Sequence, residues 1–161
     1  VVVILVEGAA IAGGLGLACA GDLVVVTRES QFALTETTLG IAPAQIAPFV
    51  VQRLGLSAAR RLMLTAARFD GEEAQRIGLA DQVVDDVDAL DEAELKIRAG
   101  VMRCAPGANA MTKELVLAAA RLEPQAMLDL AAVPLAEGML SDEGREGISA
   151  FIEKRKPSWS D

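Results

Sequence analysis

The chain contains no histidine, only two cysteines and very few aromatic residues. Without histidine there can be no Ser-His or Cys-His nucleophile system and no histidine-based metal site. Cys19 and Cys104 are far apart and form no CxxC pair, and each sits in an apolar, helix-like pattern. The expectation is two buried free thiols, in keeping with a reducing cytoplasm. Positive charge is also scarce: 15 Lys and Arg stand against 23 Asp and Glu, a net charge of −8. That balance argues against a nucleic-acid or anionic-membrane surface, because both require a basic footprint. No apolar run approaches the roughly 18–20 residues of a membrane span. The opening run also lacks the basic flank of a signal peptide. There is no initiator Met, and Val1–Val6 reads as a strand that needs neighbours for its backbone groups. The expectation is therefore the C-terminal part of a longer protein.

What is present is a core-forming chain. Of 161 residues, 52% are hydrophobic, enough for one domain with a real interior. Val1–Val6 reads as a buried strand, and Glu7-Gly8-Ala9-Ala10-Ile11-Ala12-Gly13-Gly14-Leu15-Gly16 as a tight loop entering a helix. A junction of that kind aims free backbone N–H groups at an anionic oxygen, although many α/β proteins have a glycine turn after a strand.

Gly13–Ala20 then reads as a small-residue helix, Leu23–Thr27 as a second buried strand and Gln31–Leu34 as a short third. Pro43 and Pro48 punctuate a helical stretch that ends near Leu54-Gly55. Ser57 is a suitable N-cap for Ala58–Leu64, and Asp70 for Glu72–Ile77, which Gly78 terminates. Ala80–Val84 reads as the last strand. From Asp88 to Lys156 the pattern gives three or four amphipathic helices, broken at Pro106, Pro124 and Ser141.

Glu36 is the sharpest chemical candidate. It follows a short strand and stands among Leu34, Thr35, Thr37, Thr38 and Leu39, all neutral. Such a carboxylate either stabilises a helix start through the dipole or serves as an acid/base, a role favoured by partial burial. Asp22 reads as a turn or cap, Glu7 as a solvated strand-end charge, and Arg60 and Arg61 as a solvated helix face. Lys154-Arg155-Lys156 follows Ile148, Phe151 and Ile152 on one helix face. It is either a basic helix end complementing the dipole or a phosphate-binding tail.

In order and spacing, several segments together resemble the crotonase (enoyl-CoA hydratase/isomerase) superfamily. They are Val6–Gly14, Ala20–Leu23, Gln31–Pro43, Leu64–Ala74, Gly78–Asp81 and Glu146–Pro157. The resemblance implies an α/β fold, a ββα superhelix incomplete at its N-terminus over residues 1–87, followed by a helical trimerisation region over residues 88–161. It implies homotrimers or dimers of trimers. It also implies acyl-CoA substrates whose enolate is held by two backbone N–H donors. Gly13 matches the second donor; the first would lie upstream of Val1. Since losing one donor costs about 10²–10³ in rate, the isolated piece is expected to be inactive. Coenzyme A would enter only as part of the substrate, with no metal or redox cofactor.

Glu36 matches one of the two glutamates of the family's hydratases, and Gly16 stands where the other would be. A side chain missing there would leave space for a larger acyl group. By the same resemblance Ala9, Ala12, Gly14, Gly16, Thr35 and Leu39 contact substrate, while Phe151 and Lys154 reach the coenzyme A of a neighbouring subunit. Ala44-Gln45-Ile46-Ala47 replaces the glycine-rich run most members carry after the proline. The segment most resembles the isohexenylglutaconyl-CoA and methylglutaconyl-CoA hydratases. An enoyl-CoA isomerase using Glu36 alone, or a non-catalytic acyl-CoA-binding subunit, remains open on sequence.

Overall fold

The structure, a computed structural model, describes residues 1–160. It divides into two compact units, Val1–Lys96 and the residues from Ile97 onward.

The first unit winds strand, strand, helix. Strand β1 (Val3–Val6) is followed by β2 (Ala9–Ile11) and helix α1 (Gly13–Cys19), then by β3 (Leu23–Thr27) and β4 (Gln31–Ala33). A 3-10 turn over Glu36–Leu39 leads to α2 (Ala47–Thr65), α3 (Gly71–Arg76) and β5 (Gln82–Val84); α4 (Val87–Met102) begins in this unit and ends beyond Lys96. The first strand of each pair enters one parallel sheet, in the order β1-β3-β5, and the second enters another, β2-β4. In register, Val3 faces Leu23 and Val6 faces Val26, while Ala9 faces Gln31. This is the expected ββα winding. Gly8, at φ 78°, supplies the left-handed residue that sends the chain from one sheet into the other.

Central strand β3 is apolar on both faces, and Val24, Val25 and Val26 are fully buried. Around it a single cluster gathers Leu15, Phe32, Leu34, Val50, Leu62, Phe69 and Leu79. The rings of Phe32 and Phe69 stack at 5.3 Å. The buried Ser30 hydroxyl is satisfied by Val6 O at 2.9 Å and Thr27 Oγ1 at 2.8 Å. Strand β1 differs in extent from its reading as a wholly buried six-residue run: it spans Val3–Val6, with Val6 buried and Leu5, Val1 and Val2 exposed.

Helix α2 breaks at Gly55, whose φ of 74° and ψ of 164° are non-helical. The break precedes Ser57 by two residues, so Ser57 stands within the following helical segment and is not its N-cap. Asp70 does cap α3, accepting from Glu73 N at 2.9 Å, and Gly78 follows at φ 82°. Arg61 pairs with Glu73 at 2.9 Å; Arg60 is exposed.

The second unit is helical: α5 (Pro106–Ala119), α6 (Pro124–Leu140) and α7 (Asp142–Glu153), then a 3-10 turn over Ser158–Ser160. The breaks fall at the expected Pro106, Pro124 and Ser141, the last capping Gly144 N at 2.9 Å. Helix α5 has no side-chain cap of its own. Glu143 supplies one from α7, accepting from Gly107 N at 3.1 Å and Ala108 N at 3.2 Å.

The two cysteines part company. Cys19 is buried, and burial pushes its thiol up to about 11 despite nearby Arg53. Cys104 is exposed, contrary to expectation; it lies past the end of α4 and outside any helix face.

Candidate active site

The site begins with the N-terminus of α1. Its first residues, Gly13 and Gly14, have N–H groups that no intrahelical carbonyl can reach. The preceding Ala12 is held at φ 53° and ψ −119°, a conformation that favours glycine. Three hydrogen bonds over-determine it: Ala12 N donates to Ala33 O at 2.8 Å, and Ala12 O accepts from Leu15 N at 3.0 Å and Gly16 N at 3.2 Å. The strain therefore fixes the direction in which the Gly13 N–H points.

Glu36 opens the 3-10 turn that follows β4, and it also lines a cavity. That cavity measures about 390 Å³ and is lined by Gly13, Glu36, Ala42, Pro43, Ala44, Gln45 and Ile46. Glu36 Oε2 is buried and has no hydrogen-bond partner. Leaving a buried carboxylate oxygen unpaired costs a few kcal/mol, which a structural cap would not require. A shallower apolar depression of about 520 Å³ shares Ala42, Pro43 and Ala44 and continues over Ile41, Met63 and Leu64.

Gly16 differs from expectation. The space beside it is occupied, since a Cβ on Gly16 would overlap Ile46 Cγ2 and lie 2.6 Å from Ile46 Cβ. The missing side chain thus admits Ile46 from the start of α2 and leaves no vacancy for substrate. Ile46 and Gln45 were not singled out as site residues. Their only sequence signal was the unusual Ala44-Gln45-Ile46-Ala47 run.

Ala12 and Gly14 flank Gly13 at the mouth of α1, and Ala9 lies on β2. Thr35 precedes the 3-10 turn, and Leu39 ends it with 73% of its surface exposed. None of these five lines the Glu36 cavity. Glu7 is exposed, and Asp22 accepts from Val2 N at 2.7 Å as a turn residue.

In the second unit Phe151 is exposed, and Lys154 stands at φ 56°, ending α7 in the left-handed conformation. Arg155 is engaged by Glu146 at 2.6 and 2.8 Å and by Glu153 at 2.6 Å. Of the basic cluster, it is the member tied down within its own unit.

The enoyl-CoA hydratase/isomerase family model matches residues 1–161. The chain belongs to that family. Among solved structures, Pseudomonas aeruginosa AtuE is 53% identical, with a TM-score of 0.96 over 99% of this chain and 62% of that one. An enoyl-CoA hydratase/isomerase from Marinobacter aquaeolei is 42% identical, with a TM-score of 0.95 over 99% of this chain and 60% of that one. A peroxisomal Delta(3,5)-Delta(2,4)-dienoyl-CoA isomerase of Arabidopsis thaliana is 31% identical over 99% of this chain and 58% of its own length. The chain spans 58–62% of the length of such curated relatives. As a crotonase-fold chain it has the expected α/β architecture. No helix among the described residues is long and apolar enough to cross a membrane.

Proposed function

We propose that the protein hydrates a branched, carboxylated 2-enoyl-CoA, with Glu36 as its acid/base. The observation that carries this reading is the buried, unpartnered Glu36 Oε2 in a cavity shared with Gly13. Glu36 takes a proton from water as the water oxygen bonds to the β-carbon. The double-bond electrons move toward the thioester, whose oxygen gains negative charge. The Gly13 N–H, together with a second donor, stabilises that enolate oxygen. Glu36 then returns its proton to the α-carbon, so one water is added and the carboxylate is regenerated.

The apolar depression beside the cavity supports a branched hydrocarbon tail, and the Gln45 amide offers a donor to a substrate carboxylate. Phe151 and Lys154 are assigned to coenzyme A of a neighbouring subunit in a homotrimer or dimer of trimers. Exposed Leu128, Val133, Leu135 and Met139 on α6 support self-association. The protein is assigned to the cytoplasm.

A second reading is an enoyl-CoA isomerase, favoured by the presence of a single carboxylate among the residues lining the cavity. An isomerase moves a proton between carbons and leaves substrate mass unchanged.

The test uses the full-length protein and Glu36→Gln with isohexenylglutaconyl-CoA, read by mass spectrometry. Hydration predicts a gain of one water, reduced at least 10²-fold in the variant. If mass stays constant while the double bond migrates, the isomerase reading takes its place.

A further inference from the structure

We infer that Ile46, seated on Gly16, is the specificity-determining wall of the Glu36 cavity and sets how bulky an acyl group fits beside the carboxylate. The inference rests on the acyl-thioester reading above and deepens it.

Three observations place the wall. Ile46 lines the same cavity as Glu36 and Gly13. On its other side it packs against the hydrophobic core. Its contact with Gly16 is so close that no side chain could stand at position 16 while Ile46 keeps its place. The cavity is therefore narrowed at this point by hydrocarbon anchored from behind.

The wall is also stiff. Ile46 is the residue before α2, with its backbone held by Val50 N donating to Ile46 O at 3.1 Å, and Pro48 follows in the first turn. A β-branched side chain has restricted χ1 freedom, and Gly16 lies in α1, itself packed by Leu15 and Ala18 into the core. An acyl group thus meets a fixed surface and cannot push it aside cheaply. Gln45, beside it, also lines the cavity but is exposed and is not among the residues packed on the core.

The experiment takes full-length wild type, Ile46→Val, Ile46→Ala, Gly16→Ala and the Gly16→Ala/Ile46→Ala pair. For each it compares kcat/KM on a bulky branched enoyl-CoA and on crotonyl-CoA. It also compares calorimetric binding of the matching saturated acyl-CoA esters.

Ile46→Ala is expected to raise the bulky-to-small kcat/KM ratio by about tenfold or more, with Ile46→Val moving it less in the same direction. Gly16→Ala alone is expected to lose binding of both esters, and Ile46→Ala to restore it, a non-additive result that identifies the contact. A bulky-to-small ratio within twofold of wild type in folded Ile46→Val and Ile46→Ala overturns the wall. So do additive effects at positions 16 and 46.

The two readings fail separately. If wild type turns over no enoyl-CoA, yet Ile46→Ala shifts binding toward the branched ester, the hydration reading falls and the wall stands. Glu36-dependent turnover with an unmoved ratio sinks the wall alone.

Discussion

The two units of this chain are stabilised in different ways. In Val1–Lys96 a contiguous core runs from Val6 on β1 to Ala80 ahead of β5, with Phe32, Leu62 and Leu79 fully enclosed. From Ile97 onward the buried hydrophobic residues, among those described, are Ala105 and Ala150. Helix α6 buries none of its side chains, although its sequence is predominantly apolar. The first unit is thus held by burial of side chains from distant parts of the sequence. In the second, the contacts that stand out are polar: the Ser141 cap at the start of α7, the Glu143 carboxylate at the start of α5, and the Glu146–Arg155 fork. The unit with the enclosed core also contains Glu36 and Gly13, so the cavity lies beside that core.

The largest break in this contrast should come from aromatic truncation. Phe32→Ala is expected to destabilise the first unit by about 3–5 kcal/mol. Phe151→Ala, at a residue 85% exposed, should stay within about 0.5 kcal/mol in the monomeric chain. Urea denaturation of both variants at low concentration measures the difference, and equal losses would end the distinction.

Next comes the cap. Ser141→Ala should cost the second unit about 1 kcal/mol, visible as earlier loss of amide protection in α7 by hydrogen exchange, with β3 unaffected.

The smallest effect is expected from acid. The Arg155 guanidinium, aided by Ser158 N–H, holds the Glu146 carboxyl at about 2, below its usual 4.5. A group depressed on folding stabilises above its unfolded value and loses that contribution as pH falls through the folded one. The contact should therefore weaken between about 4.5 and about 2. The sole tryptophan reports it: Trp159 donates to Arg103 O at 3.2 Å and lies over Gly147, one residue from Glu146. Its emission should change over that window in the parent protein. In Glu146→Gln that change should be absent.

Much of the fold could be read in advance because its signals are local. The β-branched run Leu23–Thr27 gave β3, Asp70 gave a cap, and Pro106, Pro124 and Ser141 gave the breaks between the later helices. Glu36 stood out because a carboxylate among neutral residues after a strand is unusual. Its lack of a partner could not be read, since that depends on what the 42–46 segment brings over it. The exposure of Leu5 and of Cys104 was likewise not written in the apolar pattern around them. Gly16 and Ile46 are the clearest case. Gly16 and the Ala44–Ala47 run are each unusual in sequence, yet only the contact of Gly16 with Ile46 relates the two.

That contact also gives substitution at the site a direction. A larger residue at position 16 is sterically barred while Ile46 is present, whereas trimming Ile46 is open from the starting sequence. A second carboxylate at position 16 therefore requires a change at 46 first, and once it is in place it bars the return of Ile46.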